Sequence, residues 1–219
     1  MAEKITENLI EAQYDVTKKS KLKRFYEKNK ILIFSFIFSL IFAFVSFSFY
    51  IENKEKKKVL LSENYLQAKI YLEAGNKNKA IGILKEVIFA NDATYSTLSL
   101  FLIINQNLIT DYKELSALFD HLLVKNKFSE EEKNLLIYKK ALLNSNFVNE
   151  SELLESIRPL LSTETLWKAH GLLLLGDYFA SKGEHIKATE FYQKIFTIKN
   201  LQKDFYYHAS SQLALISNE

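Results

Sequence analysis

The 219-residue sequence has no cysteine, one proline and five glycines. Without cysteine there is no disulfide framework, no thiolate metal ligand and no thiol nucleophile. The scarcity of proline and glycine removes the turn chemistry a β-rich architecture needs, and favours long helices. Strong charge of one sign is missing too. Residues 1–30, with eight basic and five acidic side chains, hold the whole net excess of +3. From residue 52 onward the two signs balance at 21 each. The folded part therefore has no net basic charge to attract nucleic acid, and no such partner is expected.

What the sequence does have is a long apolar run. Residues 31–51, ILIFSFIFSLIFAFVSFSFYI, are 21 consecutive residues without a charge, and their polar groups are four serines and Tyr50. As a helix this run is ~30 Å long, the thickness of a bilayer's hydrocarbon core. A core helix of a soluble protein is rarely apolar on every face over that length. The run is longer than the apolar region of a cleaved signal peptide and is preceded by about thirty residues, so it reads as an uncleaved signal anchor. Its N-terminal flank carries Lys18, Lys19, Lys21, Lys23, Arg24, Lys28 and Lys30 against Glu27. The C-terminal flank carries Lys54, Lys56, Lys57 and Lys58 against Glu52 and Glu55. The positive-inside rule then predicts a cytoplasmic N-terminus and residues 52–219 across the membrane, in the periplasm of a Gram-negative bacterium. Within the N-terminal stub, Ile5, Leu9, Ala12 and Val16 form one apolar helical stripe, suited to lying on lipid headgroups. The expected organisation is a basic stub over 1–30, a membrane span over 31–51, a charged stalk over 52–60 and a helical domain over 61–219.

In that domain apolar residues recur at three- and four-residue spacing, a helical period. Polar clusters at Asn76–Lys79, Asn91-Asp92, Asn144–Asn149, Ser162–Thr165 and Lys199–Asp204 mark breaks. Ser129 with Glu132 is a capping box and Asn149 with Glu152 a looser one. Pro159 predicts a kink or stop. About eight to ten helices of roughly 10–17 residues follow.

The domain also repeats itself. Ala68, Tyr71, Gly75, Ala80 and Leu84 have spacings of 3, 4, 5 and 4, and so do Gly176, Phe179, Gly183, Ala188 and Tyr192, 108 residues later. In each set the first small residue lets a second helix approach, and the aromatic fills the layer between helices. The glycine at the third position ends the first helix in a left-handed conformation. Ala80 and Ala188 are small contacts on the second helix, and Leu84 and Tyr192 are placed to pack on the next unit.

This pattern, quoted as AKIYLEAGNKNKAIGIL and GDYFASKGEHIKATEFY, resembles the tetratricopeptide (TPR) repeat. Residues 95–162 fit two further units loosely, and 204–216 resemble a terminal capping helix. The fold class expected is all-α, a single N-terminal transmembrane helix followed by a TPR-like helical-hairpin solenoid. The layout of a short basic stub containing LKRFYEKNK, one span, a charged stalk and a degenerate TPR domain is similar to the YfgM-like ancillary subunit of the SecYEG translocon. That resemblance implies a bacterial inner-membrane protein with a periplasmic TPR domain near the translocon, associating with periplasmic chaperones such as a PpiD-type foldase.

No chemical motif competes with this reading. The histidines, His121, His170, His185 and His208, have no zinc-binding spacing. The stretch GDYFASKGE, with Asp177 beside Gly176, lacks the spacing of either phosphate-binding glycine motif, and Asp177 reads as an exposed helix residue. His185 has no base–orienter pairing nearby, and Glu130 and Glu132 read as favourable charge at a helix start. No catalytic, cofactor or metal residue is assigned, and no cofactor or small-molecule substrate is expected. A TPR array instead offers a concave face lined by first helices. Counting from the two clear units, Tyr65, Lys69, Glu73, His170, Asp177 and Ser181 project there, as a peptide- or partner-binding surface. The expected function is that of a membrane-tethered interaction scaffold ancillary to the translocon. A cell-wall or cell-division adaptor is the alternative, and an enzyme ranks below both.

Overall fold

The computed structural model describes residues 21–162 and 166–218. The expected stripe at Ile5, Leu9, Ala12 and Val16 lies outside the described residues. Every described element is a helix, and the described residues contain no strand. The helices are α1 (Lys21–Glu73), α2 (Lys77–Phe89), α3 (Ala93–Asn105), α4 (Tyr112–Lys125), α5 (Glu130–Asn144), α6 (Glu150–Leu161), α7 (Leu166–Ser181), α8 (His185–Ile195) and α9 (Lys203–Ser217). The chain divides into two compact units, residues 1–58 and 59–219.

The first unit contains the apolar run, which is long and apolar enough to cross a membrane. Phe36, Phe42 and Phe44 stay 66%, 67% and 71% exposed, so these rings have no protein core to enter. The α1 backbone leaves helical geometry once, at Asn29 (φ −116°, ψ 16°), just before the run. Its 53 residues exceed the expected helix length, and the charged residues 52–60 are helical within the same element. Neither glycine nor proline interrupts them. A Glu52–Lys56 pair at 2.7 Å supports that segment in the favourable i, i+4 order.

The second unit is punctuated by side chains that cap helix N-termini. Asn76, Asp92, Asp111 and Asn149 each accept a bond from a backbone N–H two or three residues on, and Ser129 with Glu132 completes a capping box. Helix α6 runs two residues past Pro159 and stops. The C-terminal ends follow a rule of their own. At Gly75 (φ +77°) the amide of Gly75 bonds to the carbonyl of Leu72, and that of Asn76 to Tyr71. At Gly183 (φ +72°) the same pair of bonds runs to Ala180 and Phe179. Asn107 (φ +47°) repeats the motif, with its own amide on Ile104 and that of Leu108 on Ile103. Asparagine is among the few side chains that enter this left-handed region at modest cost, so the helix end after α3 needs no glycine.

Buried side chains form two cores. One gathers Ala68, Leu84, Leu100, Phe119 and Leu122 from α1 to α4, with Leu136 of α5. The other gathers Ala141 of α5 with Ile157, Leu175, Phe179, Tyr192 and Ala209 from α6 to α9. Tyr192 makes a contact that its spacing does not announce. Its ring lies across Gly176 in the preceding helix, and it also lines a cleft shared with the following helix α9. The missing side chain at Gly176 makes room for that ring. Lys187 at the start of α8 binds Glu150 at 2.7 Å and Glu184 at 2.8 Å, and these two carboxylates hold its ammonium above the usual lysine range.

Candidate functional site

Neighbouring helices touch throughout α2 to α9, but contacts between alternate helices are uneven. Helix α5 approaches α7, α7 approaches α9 and α2 approaches α4 closely, whereas the backbones of α3 and α5 stay more than 8 Å apart (Cα to Cα). The space left between them is a cleft of about 340 Å³. Phe101, Ile104 and Asn105 of α3 form one side, Lys139, Leu142 and Leu143 of α5 the other, and Phe119 of α4 the floor. The Phe119 ring is fully buried, Phe101, Ile104 and Leu143 are half-buried, and Leu142 is 41% exposed. This is an apolar trough whose polar groups, the Asn105 amide and the Lys139 ammonium, belong to exposed residues. Lys140 is committed to Asp120 at 2.5 Å, while Lys139 forms no ion pair among the described residues. Such a trough can accept apolar side chains and hold one negative charge beside them.

A second, more polar cleft of about 380 Å³ lies among α7, α8 and α9. Asp177, Ser181, His185, Tyr192, His208 and Gln212 are its polar lining residues. The Asp177 Oδ1 accepts a bond from the Tyr192 hydroxyl at 2.7 Å and lies 3.3 Å from His208 Nε2. Asp177 is thus exposed as expected, but its carboxylate ties α8 and α9 to α7. Burial, and next the Asp177 carboxylate, hold the Tyr192 phenol well above its ordinary range.

The six residues expected on a binding face fall in different places. Tyr65 is half-buried with its ring 6.4 Å from that of Tyr95, while Lys69 and Glu73 are exposed on α1. His170 is half-buried in an aromatic cluster, with ring centres of Tyr138, Trp167 and Phe205 at 4.9, 5.3 and 4.8 Å. Burial, with a smaller contribution from Lys139, pushes its pKa below the ordinary histidine value. Asp177 and Ser181 meet in the second cleft, and the Ser181 hydroxyl donates to the Tyr178 carbonyl at 2.7 Å. None of the six lines the apolar trough. Among the described residues no group of three or more His, Asp or Glu side chains is placed to hold a metal ion.

The trough residues were missed for a physical reason. Each is an ordinary apolar residue at helical spacing, and only the separation of α3 from α5 turns them into a lining. One signal was available: ATYSTLSLFLIIN, the sequence of α3, has no charged residue on any face. A helix of that kind needs apolar neighbours all round, or leaves part of itself uncovered.

No family model, no curated protein and no solved structure matches this chain. Its class therefore rests on the fold itself: an all-helical protein with one N-terminal helix long and apolar enough to span a membrane.

Proposed function

We propose that this chain is a single-pass membrane-anchored interaction protein whose second unit is a TPR-like solenoid. Two observations support the solenoid reading. The left-handed helix ends at Gly75, Asn107 and Gly183 share one hydrogen-bond pattern, as the ends of equivalent first helices in a repeat would. The contacts α5 to α7 and α7 to α9 have the alternate-helix spacing of stacked hairpins. The anchor supplies the mechanism, because confinement to a membrane raises the local concentration of a binding surface for partners at that membrane.

The observation that carries the interaction role is the open apolar trough between α3 and α5, with Lys139 beside it and in no ion pair among the described residues. In the reading favoured by the charge flanking the span, the N-terminus is cytoplasmic and residues 52–219 face the periplasm of a bacterial inner membrane. The resemblance in layout then points to an accessory of the Sec translocon that works with periplasmic chaperones.

Site-specific photocrosslinking from Leu142 and Lys69 of the full chain in cells tests this. Crosslinks to translocon subunits or a periplasmic foldase support the assignment. Crosslinks confined to cell-wall or division proteins replace it with the adaptor reading. Protease treatment of spheroplasts tests topology separately, and a protected C-terminal unit would overturn the orientation.

A further inference from the structure

We propose that the trough between α3 and α5 binds a peptide segment that presents two large apolar side chains next to a carboxylate. The inference rests on the interaction-module reading and adds the chemistry of what is bound.

Size comes first. A volume of about 340 Å³ lies at the low end of sites that enclose small ligands, roughly 300–1,000 Å³, and suits a pair of side chains. The lining is apolar on three sides, from Phe101 and Ile104 on α3, Phe119 on α4 and Leu142 on α5. Aromatic and branched aliphatic walls of this kind favour leucine- or phenylalanine-sized groups through burial alone.

Charge comes second. Lys139 is the one ionic group lining the trough, and its neighbour Lys140 is taken by Asp120. No acidic residue lines the trough to neutralise it. A ligand that buries apolar groups there brings its flanking atoms near this ammonium, so a carboxylate is favoured and an amine repelled.

The third point separates a peptide from a fatty acid, which would also combine apolar surface with a carboxylate. Asn105, on the α3 side of the trough, has an amide that both donates and accepts. A peptide backbone answers both roles with a C=O and an N–H, whereas an ionised fatty acid has only acceptor oxygens and no donor for the Asn105 oxygen.

The test uses the full chain in detergent and short fluorescein-labelled peptides with Gly-Ser flanks, read by anisotropy. A Leu-Leu-Glu centre should bind, a Leu-Leu-Lys centre about fivefold more weakly, and a Ser-Ser-Glu centre not measurably. Lys139→Glu should reverse the preference between the first two peptides, and this charge swap separates recognition from any loss of folding. Leu142→Asp should abolish binding, while Lys203→Glu, at the start of α9 and not among the trough residues, should leave it unchanged. Equal binding of the Glu and Lys peptides, or no reversal in Lys139→Glu, overturns the proposal. So does saturable binding of dodecanoate with no binding of the Leu-Leu-Glu peptide. If that peptide fails while crosslinks from Leu142 still capture translocon subunits or a foldase, the ligand chemistry falls and the interaction reading stands. If both fail, both fall.

Discussion

The ring of Tyr192 lies across Gly176 so closely that a β-carbon at Gly176 would sit 2.5 Å from Cε1 and 2.7 Å from Cδ1. The ring cannot swing aside cheaply, being fully buried with its hydroxyl held by Asp177. Two effects oppose each other in Gly176→Ala. Helix propensity favours alanine by about 1 kcal/mol, while overpacking costs about 1–3 kcal/mol. The clash wins, and urea denaturation should show a net loss. Gly82 is the control: it is also helical, nothing lies within 4 Å of its would-be β-carbon, and Gly82→Ala should raise stability by up to about 1 kcal/mol. If both substitutions stabilise, the close approach of Tyr192 is refuted.

The left-handed helix ends give a second comparison. Gly183→Ala forces a β-carbon into φ +72° and should cost roughly 1–2 kcal/mol. Gly183→Asn should cost less, because Asn107 already occupies the equivalent conformation at φ +47°. Asn107→Gly should be close to neutral. Equal losses for Ala and Asn at Gly183 in thermal melts would contradict the equivalence.

Two buried serines of α3 should behave oppositely. Ser96 donates to the Val87 carbonyl at 2.9 Å and accepts from the Asp92 amide at 3.1 Å, so Ser96→Ala should cost about 1 kcal/mol. The Ser99 hydroxyl is buried without a hydrogen-bond partner, so Ser99→Ala should be neutral or stabilising. Chemical denaturation of the two variants side by side decides this.

His170 gives the pH dependence. Its folded pKa is lowered by burial and then by Lys139, and the groups facing it are the rings of Tyr138, Trp167 and Phe205. The folded state thus prefers the neutral imidazole. Its stability is complete above the ordinary value of 6.5 and falls as pH drops from there towards the lowered folded value. The melting temperature should fall as the pH drops below 6.5. His170→Phe keeps the aromatic packing and should flatten that part of the profile.

The sequence is most legible where one residue type answers one backbone demand. Gly75 and Gly183 declare left-handed helix ends because other residues enter that region at a cost, and Ser129 with Glu132 declares a helix start. Asn107 serves the same role as those glycines, yet asparagines abound in polar linkers and this one carried no distinguishing mark. Tyr192 is recognisable as a large packing residue, but its close approach to Gly176 depends on how α8 is rotated against α7, which spacing alone does not determine. The trough is a different kind of feature. It exists because the backbones of α3 and α5 stand apart, and a wide spacing between helices leaves no periodic trace in either one.

Helix α5 places Leu136 in one core and Ala141 in the other, and it is the one helix whose buried side chains belong to both. In a chain of nearest-neighbour contacts such a helix sets the cooperativity of unfolding. While α5 is held on both sides, hydrogen exchange in α2–α4 and in α7–α9 should be coupled. Once it is weakened, each side should open on its own schedule, as two separate units of protection. The trough lies along the side of α5 that faces α3, so whatever fills it adds a fastener at the point where the two halves share a single support.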